Sequence, residues 1–260
     1  MRRFLLPLLL SACTLTQAAE WKDSPQVARL FAQEGVKGTF IVHDVAADSY
    51  TVHDRQRAQT RYIPASTFKI ANSLIGLSTS VVANVDTVLP YGSGPTRRPE
   101  WAHDMSLRDA IRISNVPVYQ GMARRIGLER MRAGLRTLEY GNMDPGQSVD
   151  TFWLDGPLAI SAQEQTVFLD RLAQDKLAVP KEAMAAVRYI LRQEGREELY
   201  AKTGWGSPPG ATVDIGWWVG WVKKDGKLYT FALNVDIPDN ETGAKRVSLG
   251  KAALTALGLL

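Results

Sequence analysis

The hydrophobic positions of this chain follow a strand-like pattern near the N-terminus, a helical pattern in the middle and a strand-like pattern again near the C-terminus. The extended apolar run 38–44 and the segment 49–53, joined by a short turn, predict a β-hairpin. Helical periodicity and start signals, such as Ser66-Thr67 after Pro64, then predict helices over residues 66–77, 110–113, 117–126, 128–135, 161–174 and 180–191.

Strand-like segments return at 199–203, 216–222 and 228–235, and an amphipathic helix is predicted over 245–257. Asp225-Gly226, between the last two strands, is a strong signal for a two-residue hairpin turn. Because strands lie at both ends of the chain, the sequence predicts an α+β fold: one antiparallel sheet built from both chain ends, with an inserted helical block. A substrate would bind in the cleft between the sheet and that block.

The first 19 residues predict a secretory signal peptide, which leaves 20–260 as a single folded domain. Two arginines precede an apolar run that is too short to span a bilayer, for which about 20 apolar residues are needed. Ala18-Ala19 suits an ordinary signal peptidase, whereas the run 10–13 resembles a lipoprotein signal with a lipid anchor at Cys13. Both alternatives stay open, and they predict a periplasmic or secreted protein or an outer-membrane lipoprotein.

Cys13 is the only cysteine, so the mature domain has neither a disulfide nor a cysteine metal ligand. The three histidines show no paired ligand spacing, and no metal site is predicted. Loss of Arg2 and Arg3 with the signal would lower the formal net charge from +4 to +2. Such a balanced surface gives no reason to expect a nucleic-acid partner.

Ser66 and Lys69 are three residues apart at the start of a predicted helix, so their side chains share one face and can meet. Backbone N–H groups at a helix start can bind a developing oxyanion. Burial beside Phe68 would lower the pKa of Lys69, so that it could act as a base. The Ser-x-x-Lys pattern alone is weak, since it occurs again at Ser248 and Lys251 without a partner motif.

Two further motifs follow in order along the chain. Ser114 in Ser-Asn-Val lies between two predicted helices, where it can relay a proton or cap the helix that starts near Pro117. Lys202-Thr203-Gly204 ends a predicted strand and offers a cation, a hydroxyl and close access to the backbone. These groups suit an extended substrate that carries a carboxylate.

The order and spacing of the three motifs resemble the penicillin-recognising serine enzymes. The finer pattern resembles the class D, oxacillinase-type β-lactamases over about residues 20–258. The matching segments are 66–69, 114–116, Tyr140-Gly-Asn142, Phe152-Trp-Leu154, 202–204 and the tryptophan-rich run 216–222. The class A pattern is missing, because Val116 stands where that class has Asn and no Glu is placed as a loop base.

The resemblance implies hydrolysis of the β-lactam amide of penicillins and related antibiotics through a serine acyl-enzyme. It assigns catalytic roles to Ser66 as nucleophile, Lys69 as general base after carboxylation of its Nζ, Ser114 as proton relay and Trp153 as a donor to the carbamate. It implies no cofactor beyond the CO₂ or bicarbonate that carboxylates Lys69. Substrate contacts are expected from Val116, Leu154, Lys202, Thr203, Gly204, Trp205 and Arg246, with an oxyanion hole at the backbone of Ser66 and Trp205.

Two related functions are alternatives: a β-lactam sensor domain that is acylated without turnover, and a cell-wall DD-transpeptidase or carboxypeptidase. The apolar surroundings that Val116 and Trp153 give Lys69 favour hydrolysis over both. Many relatives of this kind dimerise, but no exposed apolar pattern decides whether this chain forms a homodimer. The range of β-lactams hydrolysed depends on the cleft mouth, where Trp101 is a candidate lining residue, and the sequence does not predict it.

Overall fold

The computed structural model describes residues 19–92, 94–195 and 198–260, and it shows an α+β fold built on a six-stranded sheet. The strands are β1 Glu20–Asp23, β2 Gly38–Asp44, β3 Ser49–His53, β4 Arg61–Tyr62, β5 Val88–Leu89, β6 Met105–Ser106, β7 Ile160–Ser161, β8 Leu199–Gly206, β9 Asp214–Lys224 and β10 Lys227–Ile237. The helices are α1 Pro25–Glu34, α2 Arg55–Gln59, α3 Lys69–Ser78, α4 Leu107–Arg112, α5 Val116–Ile126, α6 Leu128–Leu138, α7 Ala162–Ala173, α8 Lys181–Leu191 and α9 Asn240–Ala256.

The large sheet has the strand order β1-β3-β2-β10-β9-β8, so strands from both chain ends pair as predicted. Every pair is antiparallel except β1 with β3, which run parallel. The predicted turn after β9 is present: Asp225 and Gly226 both have positive φ, which a type I′ hairpin requires. Among the described residues, no helix combines the length and apolarity needed to cross a membrane.

The sequence analysis missed the first strand and helix, β1 and α1. The start signals of α1 are nevertheless present, since Ser24 accepts a hydrogen bond from the backbone N–H of Val27 and Pro25 is the first helical residue. Gly35 ends the helix in the left-handed conformation that glycine favours. The last helix, α9, also begins five residues earlier than predicted, with Asp239 as its N-cap.

The start of the Ser66 helix was predicted wrongly. Residues Ala65–Phe68 form a 3₁₀ turn, and α3 begins only at Lys69, with no side-chain cap. The hydroxyl of Thr67 donates to the carbonyl of Pro64 at 2.7 Å, and that of Ser66 accepts from Lys69, so neither caps the helix. The 3₁₀ turn therefore presents Ser66 ahead of the regular helix.

The sheet is covered on both faces, which explains its apolar central strands. Alternate residues of β9 point to opposite faces: Trp217 and Trp221 pack with the helical block, and Trp218 packs against the layer formed by α1 and α9. Small residues let α9 approach closely, because a Cβ atom at Gly250 would lie 2.2 Å from Trp218. The tryptophan-rich run is thus a strand buried on both faces, and its strand conformation agrees with the prediction.

Candidate active site

Ser66 and Lys69 meet at the start of α3. The Nζ atom of Lys69 lies 2.9 Å from the Oγ atom of Ser66, so the two side chains are hydrogen-bonded. Lys69 is fully buried at 0% exposure, while Ser66 keeps 8% exposure and lines the cleft. The arrangement puts a nucleophile at the cleft floor and an amine directly behind it.

The backbone of the Ser66 turn is strained. Ala65 has a φ of 48°, a left-handed conformation that costs a non-glycine residue about 1–2 kcal/mol. Two hydrogen bonds hold the turn: the N–H of Ala65 donates to the carbonyl of Trp153 at 2.9 Å, and Thr67 Oγ1 donates to Pro64 as described. Strain that the surroundings hold in place is common at functional sites, where it fixes the direction of a reactive group.

Burial lowers the pKa of Lys69 well below its ordinary value, and the nearby charge of Lys202 lowers that pKa further. No carboxylate of the described residues forms an ion pair with Lys69. The ring of Tyr119 lies near the amine, with its centroid 5.2 Å from Nζ. The surroundings therefore disfavour the protonated amine, and an unprotonated amine can accept the proton of a serine hydroxyl.

Trp153 adjoins this pair and carries an unpaired donor. Its side chain is wholly buried, packed against the rings of Phe68 and Phe152 at centroid distances of 5.3 and 5.0 Å. Its indole Nε1 has no hydrogen-bond partner within the described part of the chain. A buried N–H without a partner is unfavourable, so this donor is available to an acceptor group.

Ser114 and Lys202, 88 residues apart, meet on the other side of the cleft floor. The Nζ atom of Lys202 lies 3.0 Å from Ser114 Oγ and 2.9 Å from the carbonyl of Thr203. Ser114 has a φ of 60°, a second left-handed residue at the site. The capping of α5 falls to Asn115, which accepts from the N–H of Val118 at 3.0 Å, so Ser114 is not the N-cap.

Glycines bring β8 and α9 close to the nucleophile turn. A Cβ atom at Gly204 would lie 3.2 Å from the carbonyl oxygen of Pro64, and one at Gly243 would lie 2.4 Å from the ring of Trp205. Arg246 of α9 stacks over that ring at 5.2 Å. Strand β8 extends past the predicted segment 199–203 to Gly206 and includes Trp205, so the connection to β9 spans only residues 207–213.

Neither Lys202 nor Arg246, the cations at this end of the cleft, forms an ion pair with a carboxylate in the described part of the chain. Burial lowers the pKa of Lys202 to about 7, and the charge of Arg246 contributes to that shift. Burial also lowers the pKa of Arg246, whose Nη1 donates to the carbonyl of Gly243 and whose buried Nε has no partner among the described residues. An anionic group bound here would be stabilised by both side chains.

The structure brings the predicted site residues together around one cleft of about 810 Å³. Those that line it are Ser66, Ser114, Val116, Leu154, Thr203, Gly204, Trp205 and Arg246, together with the candidate mouth residue Trp101. Lys69 and Lys202 lie behind this surface and reach it through Ser66 and Ser114. Sequence reasoning passed over Asn115 and Gln165, two buried amides that hold the surrounding turns.

Comparisons with known proteins agree with this geometry. The penicillin-binding protein transpeptidase domain family matches residues 37–255. The chain is 38% identical to β-lactamase OXA-10 of Pseudomonas aeruginosa, over 89% of this chain and 85% of that protein. It is 35% identical to β-lactamase OXA-48 of Klebsiella pneumoniae, over 91% of this chain and 89% of that protein. The crystal structure of FUS-1 (OXA-85), a class D β-lactamase from Fusobacterium nucleatum subsp. polymorphum, superposes with a TM-score of 0.88 and 38% identity, covering 92% of this chain and all of that one.

Proposed function

This chain belongs to the class D β-lactamases, hydrolases that act on the β-lactam amide, and from that membership we propose that it hydrolyses penicillins and related antibiotics through an acyl-enzyme on Ser66. The observation that carries the proposal is the 2.9 Å contact between Ser66 Oγ and the fully buried amine of Lys69. Nucleophile and lysine lie within hydrogen-bond reach, and burial disfavours the protonated amine, the form that can neither act as a base nor add CO₂.

Acylation begins when the base at Lys69 takes the proton of Ser66, so that Oγ can attack the β-lactam carbonyl. The backbone N–H groups of Ser66 and Trp205 would bind the resulting oxyanion. The C–N bond of the lactam then breaks, and Ser114 passes a proton to the leaving nitrogen. The contact of Ser114 with Lys202 at 3.0 Å supports this relay, because the ammonium can replace the proton that Ser114 gives up.

Deacylation requires a base that can activate water, and we propose that Lys69 serves as its carbamate. A neutral amine adds CO₂ and releases a proton, so the lowered pKa of Lys69 favours the modification. The unpartnered indole N–H of Trp153 supports it, because a carbamate oxygen would complete that hydrogen bond. Val116 and Leu154, which line the cleft above, would keep the group away from bulk water.

The carboxylate common to penicillins would bind at the cationic end of the cleft. Thr203 and Arg246 line the cleft there, with Lys202 behind them, and Gly204 lets strand β8 lie close against the nucleophile turn. A bound carboxylate favours the protonated form of Lys202, whose pKa burial has lowered to about 7. Substrate binding and proton supply to Ser114 are thereby coupled.

Removal of the Trp153 donor is expected to slow deacylation more than acylation. In Trp153→Ala the carbamate loses its hydrogen bond, so we expect the deacylation rate constant to fall about tenfold to a hundredfold. The acylation rate constant, measured by stopped flow on the same variant, should fall by less. Trp153→Phe keeps most of the ring packing without the N–H and serves as the matched variant; equal losses in both steps for both variants would contradict the role.

The proposed carbamate also predicts a bicarbonate effect with a definite pH sign. As pH falls, Lys69 becomes protonated, CO₂ is lost and activity declines. Added bicarbonate shifts the equilibrium back, so kcat should rise at the acidic end of a profile between about pH 5 and 8 and change little at the alkaline end. A profile that is indifferent to bicarbonate at every pH would argue for the free amine as the base.

A penicillin hydrolysis assay combined with intact mass after brief exposure tests the function as a whole. Steady turnover with a transient adduct on Ser66 is the expected result. A stable adduct without turnover would instead indicate the sensor domain or the transpeptidase.

Three expectations from the sequence stay predictions. The lipid anchor at Cys13 and all but the last residue of the predicted signal 1–19 lie outside the described residues, which begin at residue 19. A homodimer is likewise untested, because a single chain is described.

A further inference from the structure

A buried polar cluster lies behind the nucleophile turn, away from the cleft. Gln165 of α7 has 0% exposure, and its Nε2 donates to Thr67 Oγ1 at 2.9 Å and to the hydroxyl of Tyr140 at 3.3 Å. Thr67 Oγ1 in turn donates to the carbonyl of Pro64 at 2.7 Å. None of these side chains lines the cleft that Ser66 faces. Burial of an amide is unfavourable unless it is hydrogen-bonded, so Gln165 depends on these contacts.

Helix α7 is anchored at its first turn, from which Gln165 projects. A complete capping box joins Ser161 and Glu164, with contacts of 3.1 and 2.9 Å. Glu164 also accepts from Arg61 Nε at 3.0 Å, and β4 pairs with β7 immediately before the helix. Gln165 is therefore held on a rigid element rather than on a loop.

Both neighbours of Ser66 in the turn, the strained Ala65 and Thr67, are held by hydrogen bonds to distant parts of the chain. On one side, the N–H of Ala65 is held by the carbonyl of Trp153. On the other side, Thr67 is held by Gln165. Ser66 occupies the position between Ala65 and Thr67, so its Oγ direction is set by how firmly both neighbours are fixed. Relaxation of the left-handed Ala65 would rotate the peptide that carries Ser66.

We propose that Gln165 is a positioning residue for the nucleophile, which acts through Thr67 to hold the strained 3₁₀ turn with Ser66 Oγ in line with Lys69. The inference rests on the proposed role of Ser66. It has a kinetic consequence: acylation, which needs Oγ aligned with both the base and the lactam carbonyl, depends on this support more than deacylation, in which water is the nucleophile.

The test is Gln165→Met, which keeps the length of the side chain and removes its amide. We expect the acylation rate constant with benzylpenicillin to fall about tenfold or more, since small misplacements of a nucleophile have large effects. The deacylation rate constant should change by less. Gln163→Met is the matched control: it makes the same change two residues away on α7, where Gln163 contacts Gln59 at 3.4 Å instead of Thr67. This control should retain the rate constants of the unmodified enzyme.

Thr67 supplies a second test that does not depend on whether Gln165→Met folds. Thr67→Val removes the hydroxyl at constant shape and should slow acylation, whereas Thr67→Ser keeps the hydroxyl and should restore it. In the double variant Gln165→Met/Thr67→Val, the losses in the acylation rate constant should not add, because both substitutions remove the same Gln165–Thr67 hydrogen bond.

The positioning role would be overturned if Gln165→Met had a lowered melting temperature but an unchanged acylation rate constant. It would also be overturned if Thr67→Val and Thr67→Ser had equal acylation rate constants. Failure of the underlying function is distinguishable from both, because the unmodified enzyme itself would then show no adduct on Ser66.

Discussion

The Ser66→Ala variant is expected to form no covalent adduct with penicillin and to lose hydrolysis by a factor of about 10⁴ or more. The Ser66 hydroxyl lines the cleft and lies 2.9 Å from the buried amine of Lys69. Removal of its Oγ leaves Lys69 and Ser114 in place but takes away the atom that attacks the carbonyl. Residual activity would come from binding and the oxyanion hole alone.

Intact mass spectrometry after exposure to benzylpenicillin provides the measurement, with melting temperature as a check on folding. The chain offers a natural control in Ser248→Ala. Ser248 belongs to the second Ser-x-x-Lys pattern, but it lies exposed on α9, where its hydroxyl donates to the carbonyl of Lys245 at 2.9 Å. That variant should be labelled like the unmodified enzyme. Detectable labelling of Ser66→Ala by penicillin would disprove the assignment of the nucleophile.

The contrast between the two Ser-x-x-Lys patterns shows what the sequence could predict. Spacing of three residues places serine and lysine side by side in both, and the meeting of Ser66 with Lys69 was predicted on that ground alone. Spacing could not predict burial, which depends on the sheet and helices that close over Lys69. It also could not predict the 3₁₀ turn, because its hydrogen bonds run to Trp153 and Gln165, about 90 and 100 residues away in the chain.

The sequence predicted more of the secondary structure than of the long-range contacts between elements. The large strands and most helices follow from local periodicity, because each buries one apolar face or, for β9 and β10, two. The parallel pairing of β1 with β3 and the link from Lys202 to Ser114 are long-range contacts without a local signal. Neither was predicted: the resemblance to the class D enzymes gave Ser114 and Lys202 separate roles, and the structure joins their side chains at 3.0 Å.

The site as a whole stores unfavourable features that a protein selected only for stability would lack. Ala65 and Ser114 hold left-handed conformations, and Trp153 keeps a buried N–H without a partner among the described residues. Lys69 adds to these, because folding removes its amine from water and Ser66 is its one hydrogen-bond partner among the described residues. Such sites predict that substitutions which end activity can raise stability.

Lys69→Met is expected to lower activity and to raise stability. The variant loses the base for acylation, so the acylation rate constant should fall by about 10²–10⁴, the usual contribution of general-base catalysis. Its free energy of unfolding should rise by about 1 kcal/mol, because methionine fills similar space without a polar group to desolvate. Chemical denaturation in CO₂-free buffer measures the second effect without interference from the carbamate.

The stability gain of Lys69→Met should depend on pH in one direction. In the unfolded chain Lys69 binds a proton up to about pH 10.4, whereas in the folded enzyme its pKa is lowered, so between those two values unfolding takes up a proton. The stability of the unmodified enzyme therefore rises with pH across that window, and the advantage of the methionine variant shrinks toward its alkaline end. Lys251→Met, at the exposed lysine of the second pattern, should show neither the gain nor the trend. A Lys69→Met protein that is less stable than the unmodified enzyme at every pH would contradict this expectation. It would mean that interactions stronger than the hydrogen bond with Ser66 stabilise the buried amine.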